Sequence, residues 1–145
     1  MTQVDFYSPV ADKLGFALRL CQKAHTRQWR VLFWFDDVVA LQHCSHQLWT
    51  RQPTSFVAHS RVDELAAADS PLLLAYAGLS PDGDLPHYDV LVNFSQDTPL
   101  PFARFARLVE MVGEDEADQL RCRTRFRYYR EHGYPLQHHV LGSDA

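Results

Sequence analysis

The five residues Val31-Leu32-Phe33-Trp34-Phe35 constrain the fold more than any other stretch of the chain. The run is apolar throughout, of strand length, and bounded by Arg30 on one side and by Asp36-Asp37 on the other. A strand with one wet face alternates apolar and polar residues, whereas a continuous run suits an interior parallel strand covered on both faces. Parallel neighbours need crossover connections, and the flanking segments are patterned as helices. Asp12 can cap a helix in which Leu14, Ala17, Leu18, Cys21 and Ala24 recur at helical spacing. Val38, Leu41 and Leu48 mark a second helix that ends near Trp49.

Further strands are expected at Val4 to Tyr7, Leu72 to Tyr76 and Val90 to Phe94, with Ser55-Phe56-Val57 as a short one. Residues 58–70 read as a loop with a helical turn around Val62 to Ala67. Residues 78–88, with Pro81-Asp82-Gly83-Asp84 and Pro86, read as a surface loop. Pro99 and Pro101 permit only a helix start, after which Phe102, Phe105, Ala106, Val109 and Val112 predict a third amphipathic helix. Gly113 separates it from an arginine-rich fourth helix, and residues 135–145 read as a tail packing through Leu136, Val140 and Leu141. The expected fold is α/β: one domain over residues 1–145, a largely parallel sheet and helices on both faces.

Several function classes are disfavoured by composition and motif. The formal net charge of −4 argues against a protein that coats nucleic acid, which needs a broadly basic surface. The apolar runs are too short to span a membrane, and the N-terminus lacks the pattern of a signal peptide, so a cytoplasmic protein is expected. Three widely spaced cysteines (Cys21, Cys44 and Cys122) suggest no disulfide framework. After the first strand the chain reads Tyr7-Ser8-Pro9-Val10-Ala11-Asp12, without G-x-G-x-x-G or G-x-x-x-x-G-K-[ST], so no nucleotide cofactor is expected. His43 and His46 could converge on one ion from a helix while Cys44 points elsewhere, but no third ligand is identifiable and no metal is expected. Asp36-Asp37 occupies the strand end where an α/β enzyme often keeps its acids. An N-cap followed by a first-turn acid explains the same pair.

Two stretches look like contact surface. In the segment Gln119 to Tyr134, QLRCRTRFRYYREHGY, residues Cys122, Phe126, Tyr129 and Gly133 form one stripe of a helix. Arg123, Arg127 and Arg130 line one flank of it, while Arg121 and Arg125 go to the other. Guanidinium groups beside an aromatic ring suit an anionic ligand that carries an apolar group. Acids from Glu114 to Asp118 precede the arginines, so complementing the helix dipole accounts for the same charges. The second stretch is Trp49 with Phe56 around the break that holds Arg51 and Pro53. These aromatics could close the core or anchor a partner, since Trp and Arg are enriched in interface hot spots.

At these places the sequence resembles the chi subunit of bacterial DNA polymerase III, an accessory protein of the clamp loader. The likeness runs through DFY at 5–7, RVLFWFDD at 30–37, LWTRQPTSFVAH at 48–59, DVLVNFS at 89–95, PFARFARLVEMV at 101–112 and RFRYYREHGYPL at 125–136. It fits least in the loops 60–70 and 78–88, and Ala58 stands where relatives often have proline. The resemblance implies a Rossmann-like, non-enzymatic adaptor without a nucleotide-binding loop, working in the bacterial cytoplasm at replication forks. One surface would bind the psi subunit through Trp49, Arg51, Pro53 and Phe56, and could serve a repair helicase as a second partner. Another would bind the acidic C-terminal tail of single-stranded-DNA-binding protein, which ends in phenylalanine. That site would use Arg123, Phe126 and Arg127, with Gln119 and Arg130 beside them. Phe126 replaces a common tyrosine, and Arg127 stands where lysine also occurs. The alternatives are a small α/β enzyme using Asp36 and Asp37, or a direct nucleic-acid binder using the arginine-rich helix.

Overall fold

The structure is a computed structural model describing residues 1–50, 59–61, 72–77, 85–99 and 101–141, with the side chains of residues 49, 59 and 60 outside that description. The strands are β1 (Gln3–Ser8), β2 (Val31–Phe35), β3 (His59–Arg61), β4 (Leu72–Tyr76), β5 (Val90–Asn93), β6 (Arg107–Met111) and β7 (Leu136–Val140). Among the described residues the helices are α1 (Lys13–Thr26), α2 (Val38–Thr50) and α3 (Glu116–Glu131), and a 3-10 turn spans Phe102–Arg104. The strands form one seven-stranded sheet in the order β3-β4-β2-β5-β6-β1-β7. Every neighbouring pair in it is parallel.

β2 lies between β4 and β5, as its unbroken apolar run requires. Val31, Phe33 and Phe35 pack with Leu14 and Ala17 of α1 and with Leu41, Cys44 and Leu48 of α2. Leu32 and Trp34 join the opposite layer with Phe102, Phe105, and Cys122 and Tyr129 of α3. Alternation along the strand therefore sends successive side chains into two separate cores, and both must be apolar. The sheet is covered on both faces, as the sequence pattern implied.

Each described helix starts on an aspartate cap, and in α2 the cap is Asp37 itself, so Asp36-Asp37 is not an N-cap followed by a first-turn acid. Asp12 caps α1, its carboxylate accepting from the Gly15 N–H at 3.1 Å. Asp37 caps α2 by accepting from the Ala40 N–H at 2.9 Å. Asp115 caps α3 by accepting from the Asp118 N–H at 3.2 Å. Asp118 in turn accepts from the Gly113 N–H at 2.7 Å and pairs with Lys13 at 2.9 Å, tying the starts of α1 and α3 to the end of β6.

Three expectations need correction. Residues 102–112 do not form a third amphipathic helix: after the 3-10 turn they become β6, between β5 and β1. The helical spacing of Val109 and Val112 is a subset of a denser pattern, because Leu108, Val109, Glu110 and Met111 are all buried, as only an interior strand allows. Residues 136–140 are not a tail. They pair with β1 from Val4↔Leu136 to Ser8↔Val140. As an edge strand, β7 is half wet and carries Gln137, His138 and His139, so it gives no apolar run. Gly133, finally, does not belong to the packing stripe of α3. It lies past the helix end at φ 79°, a left-handed conformation that stops the helix and turns the chain into β7. The expected strand at 55–57 and helical turn at 62–67 fall outside the described residues.

Candidate functional site

α3 lies over β1 and β6 and runs antiparallel to them, from their carboxyl ends back to their amino ends. Its buried face carries Cys122, Arg125 and Tyr129, and Phe126 packs against the same core. Arg125 therefore does not line an outer flank beside Arg121 as expected. Its side chain is 7% exposed and donates from Nε to Glu110 at 3.0 Å. It also donates from Nη1 to the Gln96 carbonyl. Glu110 has no exposed side-chain surface, and it also accepts from the Tyr129 hydroxyl at 2.6 Å and from Asn93 Nδ2 at 3.0 Å. Burial pushes the Glu110 carboxyl up, while the adjacent Arg125 charge and the three donors pull the other way. A buried acid in β6 thus requires a buried cation from α3, which makes Arg125 part of the scaffold.

On the other side of α3 the arginines are placed differently. A groove of about 450 Å³ opens between the helix and the end of the sheet. Phe6, Val112, Cys122 and Phe126 give it an apolar floor, and Gln119, Arg123 and His138 stand at its rim. Phe126 meets Phe6 edge-on with ring centroids 5.1 Å apart. His138 reaches it from β7 and is hydrogen-bonded to the Ser8 hydroxyl. Among the described residues, the guanidinium groups of Arg123, Arg127 and Arg130 have no acidic partner, while Arg121 pairs with Asp118 at 3.7 Å and Arg125 with Glu110. The two arginines that face internal acids, Arg121 and the buried Arg125, are thus distinct from the three exposed ones along the groove side.

Of the residues singled out for tail binding, Gln119, Arg123 and Phe126 meet at this groove. Arg127 and Arg130 do not line it; they are exposed along the same flank, one and two turns further down the helix. Sequence reasoning missed Phe6, Val112 and His138. Phe6 and His138 are opposite each other in the β1–β7 register, which required knowing that residues 136–140 form a strand. Trp49 falls in the last turn of α2, with its side chain outside the description, and Arg51, Pro53 and Phe56 lie outside the described residues altogether.

The two candidate acids are engaged in structural roles. Asp37 is the α2 cap, and Asp36 accepts from the Gln96 N–H at 3.1 and 3.2 Å. His43 and His46 are exposed on α2, Cys44 is buried, and no group of three potential metal ligands occurs among the described residues. At the start of α1, where an α/β nucleotide site would present its N–H groups to phosphate, the Asp12 carboxylate occupies the Gly15 N–H. No described helix is long and apolar enough to cross a membrane.

These features define a parallel, doubly covered α/β domain of Rossmann-like arrangement, with an apolar groove flanked by exposed arginines at one end of its sheet. The chain belongs to the DNA polymerase III chi subunit family: the family described as "DNA polymerase III chi subunit, HolC" matches residues 1–137. It is 36% identical over 145 residues to the DNA polymerase III subunit chi of Pseudomonas aeruginosa, covering 97% of this chain and 98% of that one. The subunit of the same name from Haemophilus influenzae is 27% identical over 113 residues, covering 78% of this chain and 76% of its own.

Proposed function

We propose that this chain is a non-catalytic adaptor of the DNA polymerase III holoenzyme, linking the clamp loader to single-stranded-DNA-binding protein during replication. The family supports a place in the holoenzyme as an accessory subunit. The observation that carries the linking role is the groove: an apolar slot with Arg123 at its rim and Arg127 and Arg130 further along the same flank, none with an acidic partner among the described residues. Such a slot matches a peptide that ends in acidic residues and a phenylalanine. The ring enters between Phe6, Val112 and Phe126, and the terminal carboxylate meets Arg123 with Gln119 beside it. A charge-assisted contact contributes roughly 1.5–3 kcal/mol, so Arg123→Ala should weaken a labelled peptide of this kind about tenfold or more. Amidating the peptide's C-terminus should cost a similar factor in the native protein and little in Arg123→Ala. Equal binding by the native protein and the variant rejects the groove as the tail site. Single-stranded DNA that displaces the peptide through the same arginines would favour direct nucleic-acid binding instead.

The second surface, Trp49 with Arg51, Pro53 and Phe56, is the proposed dock for the psi subunit. Its support is the match of the LWTRQPTSFVAH block to the chi family and the placement of Trp49 at the end of α2. Phe56→Ala should abolish co-purification with psi while leaving the melting temperature nearly unchanged. A buried Phe truncated to Ala costs about 3–5 kcal/mol, so a large thermal loss would assign Phe56 to the core.

A further inference from the structure

β7 gives the groove a second kind of contact. In its ladder with β1, the Val4 N–H donates to the Pro135 carbonyl at 2.9 Å and the Leu141 N–H donates to the Ser8 carbonyl at 2.7 Å. Val4 stands opposite Leu136, Phe6 opposite His138 and Ser8 opposite Val140. Along a parallel ladder, residues whose N–H and C=O both reach the neighbouring strand alternate with residues whose groups point away. The backbone groups of Leu136, His138 and Val140 therefore face outward at the end of the sheet, and no described strand pairs with them. Their side chains share the face that α3 covers: Leu136 packs into that core and His138 lines the groove. Among the described residues, an edge without a neighbouring strand and the groove are thus continuous.

The arginines give this edge a polarity. α3 begins near the carboxyl end of β6 and ends at Glu131, after which the chain turns into β7. Arg123 is therefore level with the carboxyl end of β7, and Arg127 and Arg130 lie successively nearer its amino end. Only Arg123 reaches the groove itself. We infer that the acidic tail binds as an added parallel strand on β7, with its last side chain in the groove, its carboxylate at Arg123 and its preceding acids beside Arg127 and Arg130. This inference rests on the groove being the tail site. Edge addition supplies backbone hydrogen bonds, while the groove and the arginines supply specificity. A second copy of this chain is a poor occupant, because pairing two β7 edges would bring two sets of unpaired guanidinium groups together.

The test uses the full chain and a labelled peptide of acidic residues ending in phenylalanine, with single amide-to-ester replacements along its backbone. An ester keeps the shape and removes one donor. Esters at alternate positions should weaken binding about fivefold, and those between them should have little effect. A nitroxide at the peptide's amino end should broaden amide signals around Arg130 more strongly than those around Arg123, about 10 Å away along the helix. Uniform tolerance of the esters, with Arg123→Ala still weakening the peptide, overturns strand addition and leaves the groove assignment standing. Stronger broadening at Arg123 than at Arg130 overturns the parallel direction. If Arg123→Ala binds like the native protein, the groove assignment fails first and the inference falls with it. Concentration-dependent dimers that the peptide dissociates would assign the β7 edge to self-association.

Discussion

Replacing Arg125 with methionine separates the scaffold arginine from the recognition arginines on the same helix. The substitution roughly preserves volume but removes the cation that faces Glu110, whose side chain has no exposed surface. Tyr129 and Asn93 would still donate to the carboxyl. Two neutral donors do not replace an ion pair, and removing one partner of a buried pair costs about 3–5 kcal/mol. For a domain of this size, 1 kcal/mol corresponds to about 2–4 °C, so Arg125→Met should melt roughly 6–20 °C below the native protein. Without Arg125, burial favours the protonated carboxyl. A folded-state pKa above the unfolded one contributes stability at low pH that is lost as pH rises, so the deficit should widen from mildly acidic to neutral pH. Glu110→Gln in the same chain removes the uncompensated charge and should recover more than half of the loss. Calorimetry of the native protein, Arg125→Met, Glu110→Gln and the double variant checks this. At a temperature where all are folded, Arg125→Met should bind the acidic peptide like the native protein, whereas Arg123→Ala should lose binding and keep its stability. A melting temperature for Arg125→Met within about 2 °C of native would refute the buried pair.

Two further outcomes follow from buried titratable groups. His87 is buried, its Nδ1 accepts from the Asp89 N–H at 3.1 Å, and its Nε2 has no hydrogen-bond partner among the described residues. Burial first, and the Arg30 charge second, lower its pKa from 6.5 to about 4. The unfolded chain then binds the extra proton between these values, so stability should fall by up to about 2 kcal/mol from pH 7 to pH 5 and level off below pH 4. Urea denaturation of His87→Gln should show a smaller fall over that window; an identical slope would contradict the assignment. Burial also pushes the Cys21 and Cys44 thiols up to about 12 and the Cys122 thiol up to about 11. At mildly alkaline pH all three should alkylate about a hundredfold or more slowly in the native protein than in the unfolded chain, and fast native labelling of any of them would be inconsistent with that burial.

Much of the architecture was legible in the sequence because β2 sits between two layers and reports both. A strand feeding two apolar cores must be apolar at every position, and Val31 to Phe35 is. β6 was harder to read, since Arg107-Leu108-Val109-Glu110-Met111 contains an acid that a helix would turn to solvent. Glu110 is instead in the core, and a lone acid inside an apolar run is the signal that a buried cation must come from elsewhere in the chain. The partner could not be picked out among closely spaced arginines of α3 by periodicity alone, because the choice depends on the rotation of the helix over the sheet. β7 was illegible for the opposite reason: with one edge and much of its surface wet, residues 136–140 need no apolar pattern. Phe6, Ser8 and His138 reach the groove from β1 and β7, so the arginine flank could be read from the sequence and its apolar floor only partly.

The most direct test of the adaptor account is amide NMR of the full chain during titration with the acidic, phenylalanine-terminated peptide. Binding in the groove predicts saturable shifts at Gln119, Arg123, Phe126 and His138, the residues that border it, and quiet signals at His43 and His46, exposed on α2, which packs in the opposite core from α3. Saturable shifts that avoid the α3–β7 groove, or none with the peptide in large excess, would contradict it.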